Sequence, residues 1–148
     1  MNLHEFPATG YEADFALWLE HQMQLLTERQ FDKLDVANLL DEIGGVWRSE
    51  KRQLESRLEI IMLHLLKCQY QPERKGSSWG KTLRAQRKHV ARLLSDSPSL
   101  RRRVHDLAVD AYAHAVADAA DETGIPEAAF PAELPFSDAE LLDPSFVP

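Results

Sequence analysis

A length of 148 residues suits one domain with a sizeable core, and 44% apolar with 28% charged residues is a globular composition, not a disordered one. The single cysteine, Cys68, excludes an internal disulfide and favours a reducing compartment. The opening MNLHEFPATG lacks the pattern of a secretory signal, and the densest apolar run, 60–66, is too short to span a bilayer. We therefore expect a cytoplasmic protein without membrane contact, folded as a single helical domain over residues 1–148.

The net charge of −7 is unevenly distributed along the chain. Residues 1–73 carry −6, residues 74–103 carry +9, and residues 104–148 carry −10. The overall sign argues against a protein built mainly to hold nucleic acid, whereas the basic segment could contact phosphates.

Helical periodicity dominates the first half of the chain. One face of a first helix carries Tyr11, Phe15, Trp18, Leu19, Leu25 and Leu26, with Gln22 in its middle. A second helix is predicted from the N-cap Asp35, with Val36, Leu39, Leu40 and Ile43 as its apolar stripe. Gly44 and Gly45 each weaken a helix by roughly 1 kcal/mol, which predicts a kink or short break there.

A third helix is predicted over 49–70, where Pro72 ends it. Between Leu58 and Leu66 apolar residues occur on almost every side of this helix. Such a helix is usually packed by several neighbours, so we expect it to lie at the centre of the fold.

The stretch GSSWGKT at 76–82 has the letters of a phosphate-binding loop but not its context. Three residues, not four, separate the first glycine from the Gly-Lys pair, and a helix rather than a strand precedes it. We interpret it as a helix start, with Ser77 or Ser78 as the cap and Trp79 opening an apolar face.

Two further helices and a tail complete the prediction. The fourth helix covers about 79–95; Ser97 and Pro98 begin a fifth, which carries an alanine stripe and stops at Gly124. In the tail, Ser137 and Glu140 form a capping box, and four apolar residues should attach the tail to the helices: Phe130, Leu134, Phe136 and Phe146. The predicted fold class is all-α, a compact bundle of about five helices (core about 11–124) with a proline-rich C-terminal tail (125–148) packed across it.

Several stretches resemble one family, the bacterial Domain of Unknown Function 29 family. They are YEADFALWLEHQMQLL, DVANLLDEI, RSEKRQLESRLEIIMLHLLKCQYQPE, SSWGKTLRAQR, SPSLRRRV, ETGIP, FP and LLDPSF, in order from Tyr11 to about Val147. The resemblance implies a compact all-helical bacterial protein without an established activity, and so no family catalytic residues. The chain departs from it near Gly44–Gly45, where relatives carry charged residues, near Trp47, where they carry a glycine, and at Cys68, where they carry a tryptophan.

Polar residues on apolar faces are the first candidate site. Buried polar groups need partners, and five residues could form one network: Gln22, Glu42, His64, Trp79 and Gln86. We favour a structural polar core over an acid–base pair of His64 with Glu42, because no nucleophile or oxyanion feature accompanies them.

Two metal sites and a basic surface are the other candidates. Asp110, His114 and Asp118 recur at i, i+4 and i+8, and His64 with Cys68 at i and i+4; neither set suffices alone, so no metal and no cofactor are predicted. The basic face comprises Lys81, Arg84, Lys88, Arg92, Arg101, Arg102 and Arg103.

The leading hypothesis for function is a non-catalytic interaction protein that pairs with itself or with a bacterial protein partner. Nucleic-acid association through the basic face is the alternative, and a small enzyme using His64 and Glu42 is the third choice.

Overall fold

The structure, a computed structural model, describes residues 10–148 and is all-α, as predicted. The five α-helices are α1 (Phe15–Thr27), α2 (Val36–Tyr70), α3 (Ser77–Asp96), α4 (Val104–Thr123) and α5 (Asp138–Leu142). Short 3-10 segments lie at Phe31–Lys33, Pro72–Arg74, Pro98–Arg103 and Glu127–Ala129. No β-strand occurs within residues 10–148.

The chain divides into two compact units, Met1–Arg48 and Ser49–Pro148, here called the N-terminal and C-terminal units. The N-terminal unit, described from residue 10, contains α1 and the beginning of α2. The C-terminal unit contains the rest of α2 and all later elements. The prediction of a single domain stays a prediction.

The predicted short break at Gly44–Gly45 is wrong, because α2 is one continuous helix of 35 residues; the alternative of a kink stays a prediction. The two glycines together cost roughly 2 kcal/mol relative to alanine. A break would instead create two new helix ends, each leaving backbone groups without intrahelical partners. Continuity is therefore the less costly arrangement, and the predicted second and third helices are one.

The C-terminal half of α2 forms the core of the C-terminal unit. Six of its side chains are completely buried: Leu54, Leu58, Ile61, Met62, Leu65 and Leu66. This confirms the prediction that the 58–66 stretch is packed on several sides. Lys67, near its end, makes a 2.6 Å ion pair with Glu122 of α4 and lies 4.6 Å from the centre of the Trp79 ring on α3.

The GSSWGKT stretch opens α3, but its cap differs from the prediction. Gly76 occupies the N-cap position without a side-chain bond, and Ser77 and Ser78 lie inside the helix. Trp79 packs against the core as expected. A helix and a 3-10 segment precede the stretch, so the backbone geometry of a phosphate-binding loop is not formed.

The fifth predicted helix starts later than expected and stops where expected. Pro98 opens a 3-10 segment and α4 itself begins at Val104. It ends at Gly124, whose φ of 74° is the left-handed conformation that favours glycine. The alanine stripe is fully buried, which brings α4 close to its neighbours; it comprises Ala108, Ala111, Ala115 and Ala119.

The tail carries apolar side chains that belong to the core of the C-terminal unit or pack against it. Phe130 and Phe136 are buried, and Leu134 and Phe146 pack against the core. The Tyr112 hydroxyl donates to the carbonyl of Pro131 at 2.7 Å, and burial raises the pKa of Tyr112 to about 12. Ser137 and Glu140 form both bonds of the predicted capping box around α5.

Arg87 of α3, only 3% exposed, attaches the tail to the helices. Its Nε donates to the carbonyl of Leu141 at 3.0 Å, Nη1 to that of Phe146 at 2.7 Å, and Nη2 to that of Glu140 at 2.8 Å. One guanidinium therefore satisfies carbonyls at and beyond the C-terminal end of α5, which have no partner within so short a helix. Burial lowers the pKa of Arg87, while Asp143 raises it.

Replacing Arg87 with leucine should destabilise the C-terminal unit by roughly 3 kcal/mol, because three buried or half-buried carbonyls lose a charged donor. Urea unfolding followed by circular dichroism measures the change. Arg84→Leu, at an exposed position on the same helix, is the matched control and should change stability by less than about 0.5 kcal/mol. Equal unfolding midpoints for the two variants would show that Arg87 does not anchor the tail.

Candidate functional site

The N-terminal unit is organised around the carboxylate of Asp35, which caps the start of α2. Trp18 Nε1 donates to Asp35 at 3.0 Å, and the Asn38 side chain donates to it at 2.7 Å. Partial burial raises the pKa of Asp35, but these hydrogen bonds outweigh it and leave that pKa lowered. The backbone N–H of Asp35 donates to Gln22 Oε1 at 2.8 Å.

A second polar contact lies in the same unit. The Tyr11 hydroxyl donates to Glu42 at 2.5 Å, and this bond raises the pKa of Tyr11 to about 12. Asp14 caps α1 by accepting from the backbone N–H of Leu17. These contacts fix the start of both helices by hydrogen bonding.

The buried apolar content of this unit is small. Among its described residues, only Trp18, Gln22 and Leu25 are buried, and no residue of α2 before Leu54 is buried. The first eighteen residues of α2 therefore have no buried side chain. A unit of this size seldom has enough core to be stable by itself.

Large apolar side chains of the N-terminal unit are instead exposed to solvent. Val36, Leu40 and Ile43 follow one another at i, i+4 and i+7 on α2, and each is more than half exposed. We call the following residues, 44–65% exposed, the N-terminal apolar surface: Phe15, Leu17, Met23, Leu26, Phe31, Val36, Leu40, Ile43 and Val46. In the C-terminal unit the comparable side chains are Val109 and Val147.

The sequence analysis did not predict that these residues are exposed, because those on α2 have the same helical spacing as a buried apolar stripe. Periodicity identifies the apolar face of a helix but does not say what covers that face. The early part of α2 and the core part have the same kind of stripe, and only the tertiary structure separates the exposed from the buried one.

The five residues of the predicted polar network have separate partners. Gln22 and Glu42 belong to the N-terminal unit and bond to Asp35 and Tyr11. The other three, His64, Trp79 and Gln86, belong to the C-terminal unit. Gln22 Nε2 is buried and lacks a hydrogen-bond partner among the described residues.

In the C-terminal unit, His64 Nδ1 donates to the carbonyl of Ile60 at 2.9 Å, so this nitrogen carries a proton. Burial lowers the pKa of His64. Gln86 Oε1 accepts from Arg57 at 3.0 Å, and the Trp79 ring lies beside Lys67. The joint network and the acid–base pairing of His64 with Glu42 stay predictions.

The predicted basic face lies on α3 and on the 3-10 segment before α4. All seven of its residues are exposed: Lys81, Arg84, Lys88, Arg92, Arg101, Arg102 and Arg103. Beside it, a cleft of about 220 Å³ between α2 and α3 is lined by Gln53, Arg57, His89, Arg92, Leu93 and Asp96. Arg57 in this cleft has a neutral hydrogen-bond partner, Gln86, so that bond leaves its charge uncompensated.

Arg87 was also missed, although it left a signal in the sequence. Leu83, Arg87, Val90 and Leu94 follow the spacing of the buried stripe of α3, and all four are buried. A charged residue at a stripe position indicates a buried, satisfied charge.

The acidic side of α4 faces Glu59 of α2. Burial raises the pKa of Glu59, and the Asp118 carboxylate raises it further, while His114 acts in the opposite direction. Within residues 10–148, no three His, Cys, Asp or Glu side chains are grouped so that they could hold a metal ion. The carboxylates of Glu59 and Asp118 therefore repel one another when both are ionised.

Fold and surface together define an all-α protein with one exposed apolar surface and one exposed basic face. The chain matches the family model Domain of unknown function DUF29 over residues 10–147 and belongs to that family. No curated protein and no solved structure matches the chain. Along the part of the chain that the structure describes, no helix is long and apolar enough to cross a membrane.

The Glu59 contact predicts a pH-dependent stability. The pKa of Glu59 is higher in the folded than in the unfolded state. The contribution of Glu59 to the free energy of unfolding is therefore fully present below the unfolded pKa, and it is lost as the pH rises through the folded pKa. Glu59→Gln should therefore be more stable than the wild type at pH 8 and equal to it near pH 4, measured by urea unfolding at both pH values. Glu127→Gln, at an exposed position, is the control. A stability difference that does not depend on pH would contradict the prediction.

Proposed function

We propose that this chain is a non-catalytic helical interaction protein that binds a protein surface through the N-terminal apolar surface. The observation that carries the proposal is the exposure of the nine side chains of this surface, in a unit whose described residues, 10–48, include only three buried ones. Exposed apolar side chains that lie together mark interaction sites on soluble proteins, and Val36, Leu40 and Ile43 follow one another on one side of α2.

The area available fits a protein partner. At roughly 150 Å² or more for each large side chain, half-exposed on average, the nine present on the order of 800 Å². This sum, spread over α1, the 3-10 segment Phe31–Lys33 and α2, is comparable to the area that each partner contributes to a standard protein–protein interface. Small-molecule sites are concave and smaller, so a protein surface is the better match.

The proposed setting is the bacterial cytoplasm. Its support is the single cysteine, Cys68, which is buried and therefore unavailable for a disulfide with another chain. The bacterial part rests on the resemblance described above.

Affinity capture tests the proposed function. A tagged wild-type chain, expressed in the cells that encode it, should retain at least one protein, including untagged copies of itself. Leu40→Glu should lose that protein, because a charge would have to be buried at the interface. Val109→Glu, at an exposed apolar position of α4, is the matched control and should retain it. A captured set that is the same for all three chains would refute the proposal.

Nucleic-acid association through the basic face is the second candidate. It is supported by the exposure of all seven basic residues and by the adjoining cleft with Arg57 and Arg92. Such a face would neutralise several phosphates, and its affinity would be electrostatic and largely independent of sequence.

Fluorescence anisotropy with a labelled single-stranded 20-nucleotide DNA tests this candidate. Binding at 50 mM salt should weaken by at least about tenfold at 200 mM salt, and the double variant Arg84→Gln/Lys88→Gln should weaken it at constant salt. Arg29→Gln/Lys33→Gln removes the same charge from the N-terminal unit and should leave binding unchanged. Equal losses in the two double variants would contradict a site on α3.

A further inference from the structure

A second recess adjoins the cleft between α2 and α3, and the two share Gln53 and Arg57. We infer that the two recesses form one site for a phosphate monoester, whose phosphate group is bound by Arg57 and Arg92. This inference does not rest on the proposed protein interaction. It concerns a terminal phosphate, whereas the nucleic-acid candidate concerns backbone phosphates on the exposed basic face.

Both recesses belong to the C-terminal unit and are lined by single faces of helices. The cleft of about 220 Å³ takes from α3 the residues His89, Arg92, Leu93 and Asp96, at i, i+3, i+4 and i+7. The second recess, of about 250 Å³, lies along one face of α2. Its lining residues are Ser49, Arg52, Gln53, Ser56, Arg57 and Ile60.

The lining of the two recesses has an excess of positive charge. Arg52, Arg57 and Arg92 are opposed by one carboxylate, Asp96, so the formal charge is +2 with His89 neutral. Among the residues that the structure describes, no carboxylate forms an ion pair with any of the three arginines. A phosphate monoester carries about two negative charges near neutral pH, and a backbone diester of nucleic acid about half of that. The charge of the lining therefore matches the monoester.

Arg57 is held in position for such a ligand. Its side chain is half-buried, and Nη1 donates to Oε1 of Gln86 at 3.0 Å. The other N–H groups of this guanidinium bind no acceptor within residues 10–148. A guanidinium with several free donors in one plane can bind two oxygens of a phosphate at once. Gln86 is therefore a positioning residue, and Arg57 supplies the charge and the donors.

The rest of the ligand should be small and rich in hydroxyl groups. Ser49, Ser56 and Gln53 offer hydroxyl and amide groups, and a carboxylate such as Asp96 accepts from a hydroxyl. No described Phe, Tyr or Trp lines either recess, so a nucleobase would have no such ring on which to stack. Each recess is also below the roughly 300–1,000 Å³ of common small-molecule sites. A sugar phosphate fits these features better than a nucleotide does.

Isothermal titration calorimetry with glucose 6-phosphate tests the site. The wild type should bind one molecule per chain, and glucose, which lacks the phosphate, should not bind. Arg57→Gln should raise the dissociation constant by at least about tenfold, because it removes a charged donor to the phosphate. Arg84→Gln removes the same charge from α3 outside the lining, and it should change the constant by less than about twofold.

Arg92→Gln is the second variant, at an exposed position where a substitution has little effect on folding. It should weaken binding in the same way, and circular dichroism checks that each variant is folded. If Arg57→Gln does not fold, Arg92→Gln decides the outcome. A wild type that does not bind, or a folded cleft variant that binds as tightly as Arg84→Gln, would overturn the inference.

Labelled single-stranded DNA with a 5′-phosphate, compared with the same strand ending in a 5′-hydroxyl, distinguishes two sources of a terminal phosphate. A small phosphate ester as the ligand predicts equal affinities of the two strands by fluorescence anisotropy. If the phosphorylated strand binds more tightly and Arg57→Gln removes the difference, the site stands and the end of a nucleic acid is the source of the phosphate.

The outcomes separate this inference from the functions proposed above. Leu40→Glu lies outside the lining and should bind glucose 6-phosphate as the wild type does. If binding of the ester depends on Arg57 while protein capture or DNA binding fails, the site stands and that function fails. If the ester does not bind while protein capture depends on Leu40, this inference fails and the interaction function stands.

Discussion

Burial of the apolar side chains on the C-terminal half of α2 is the interaction on which the rest of the C-terminal unit depends. Leu54, Leu58, Ile61 and Leu65 are inaccessible to solvent, and α3, α4 and the tail supply the other residues of the same core. Apolar burial is the largest favourable contribution to folding, at about 25 cal/mol per Å². The first eighteen residues of the same helix have no buried side chain. One continuous helix therefore contains both fully buried apolar residues and apolar residues that are more than half exposed.

This contrast accounts for the function we propose. If all apolar residues of a helix are covered by its own chain, the helix gives no reason to expect a partner. In α2 the apolar stripe continues through Val36, Leu40 and Ile43, where the described chain leaves it more than half exposed. Hydrogen bonds from Trp18 and Asn38 to Asp35 hold the start of that helix in place. A surface fixed in this way loses less conformational entropy on binding than a disordered segment would.

Local patterns in the sequence predicted local features well. The capping box of Ser137 and Glu140 and the stop at Gly124 depend on neighbouring residues alone, and both are confirmed. The break at Gly44–Gly45 was wrong because a propensity penalty was weighed without the larger cost of two new helix ends. The exposure of the apolar surface could not be predicted, and the stripe position of Arg87 indicates its burial but not its partners, since both depend on which distant segment covers a given face. The separate partners of the polar residues, such as Arg57 for Gln86, depend on tertiary packing in the same way.

Arg87 and the three residues whose carbonyls it binds should differ in their tolerance to mutation. Every acceptor is a peptide carbonyl, which each amino acid possesses, so the side chains at 140, 141 and 146 can be exchanged without deleting an acceptor. The donor has no such freedom, because among the amino acids only arginine presents several N–H groups in one plane. Substitutions in the tail are therefore limited by how its side chains pack, whereas position 87 is limited by the need for several N–H donors in one plane.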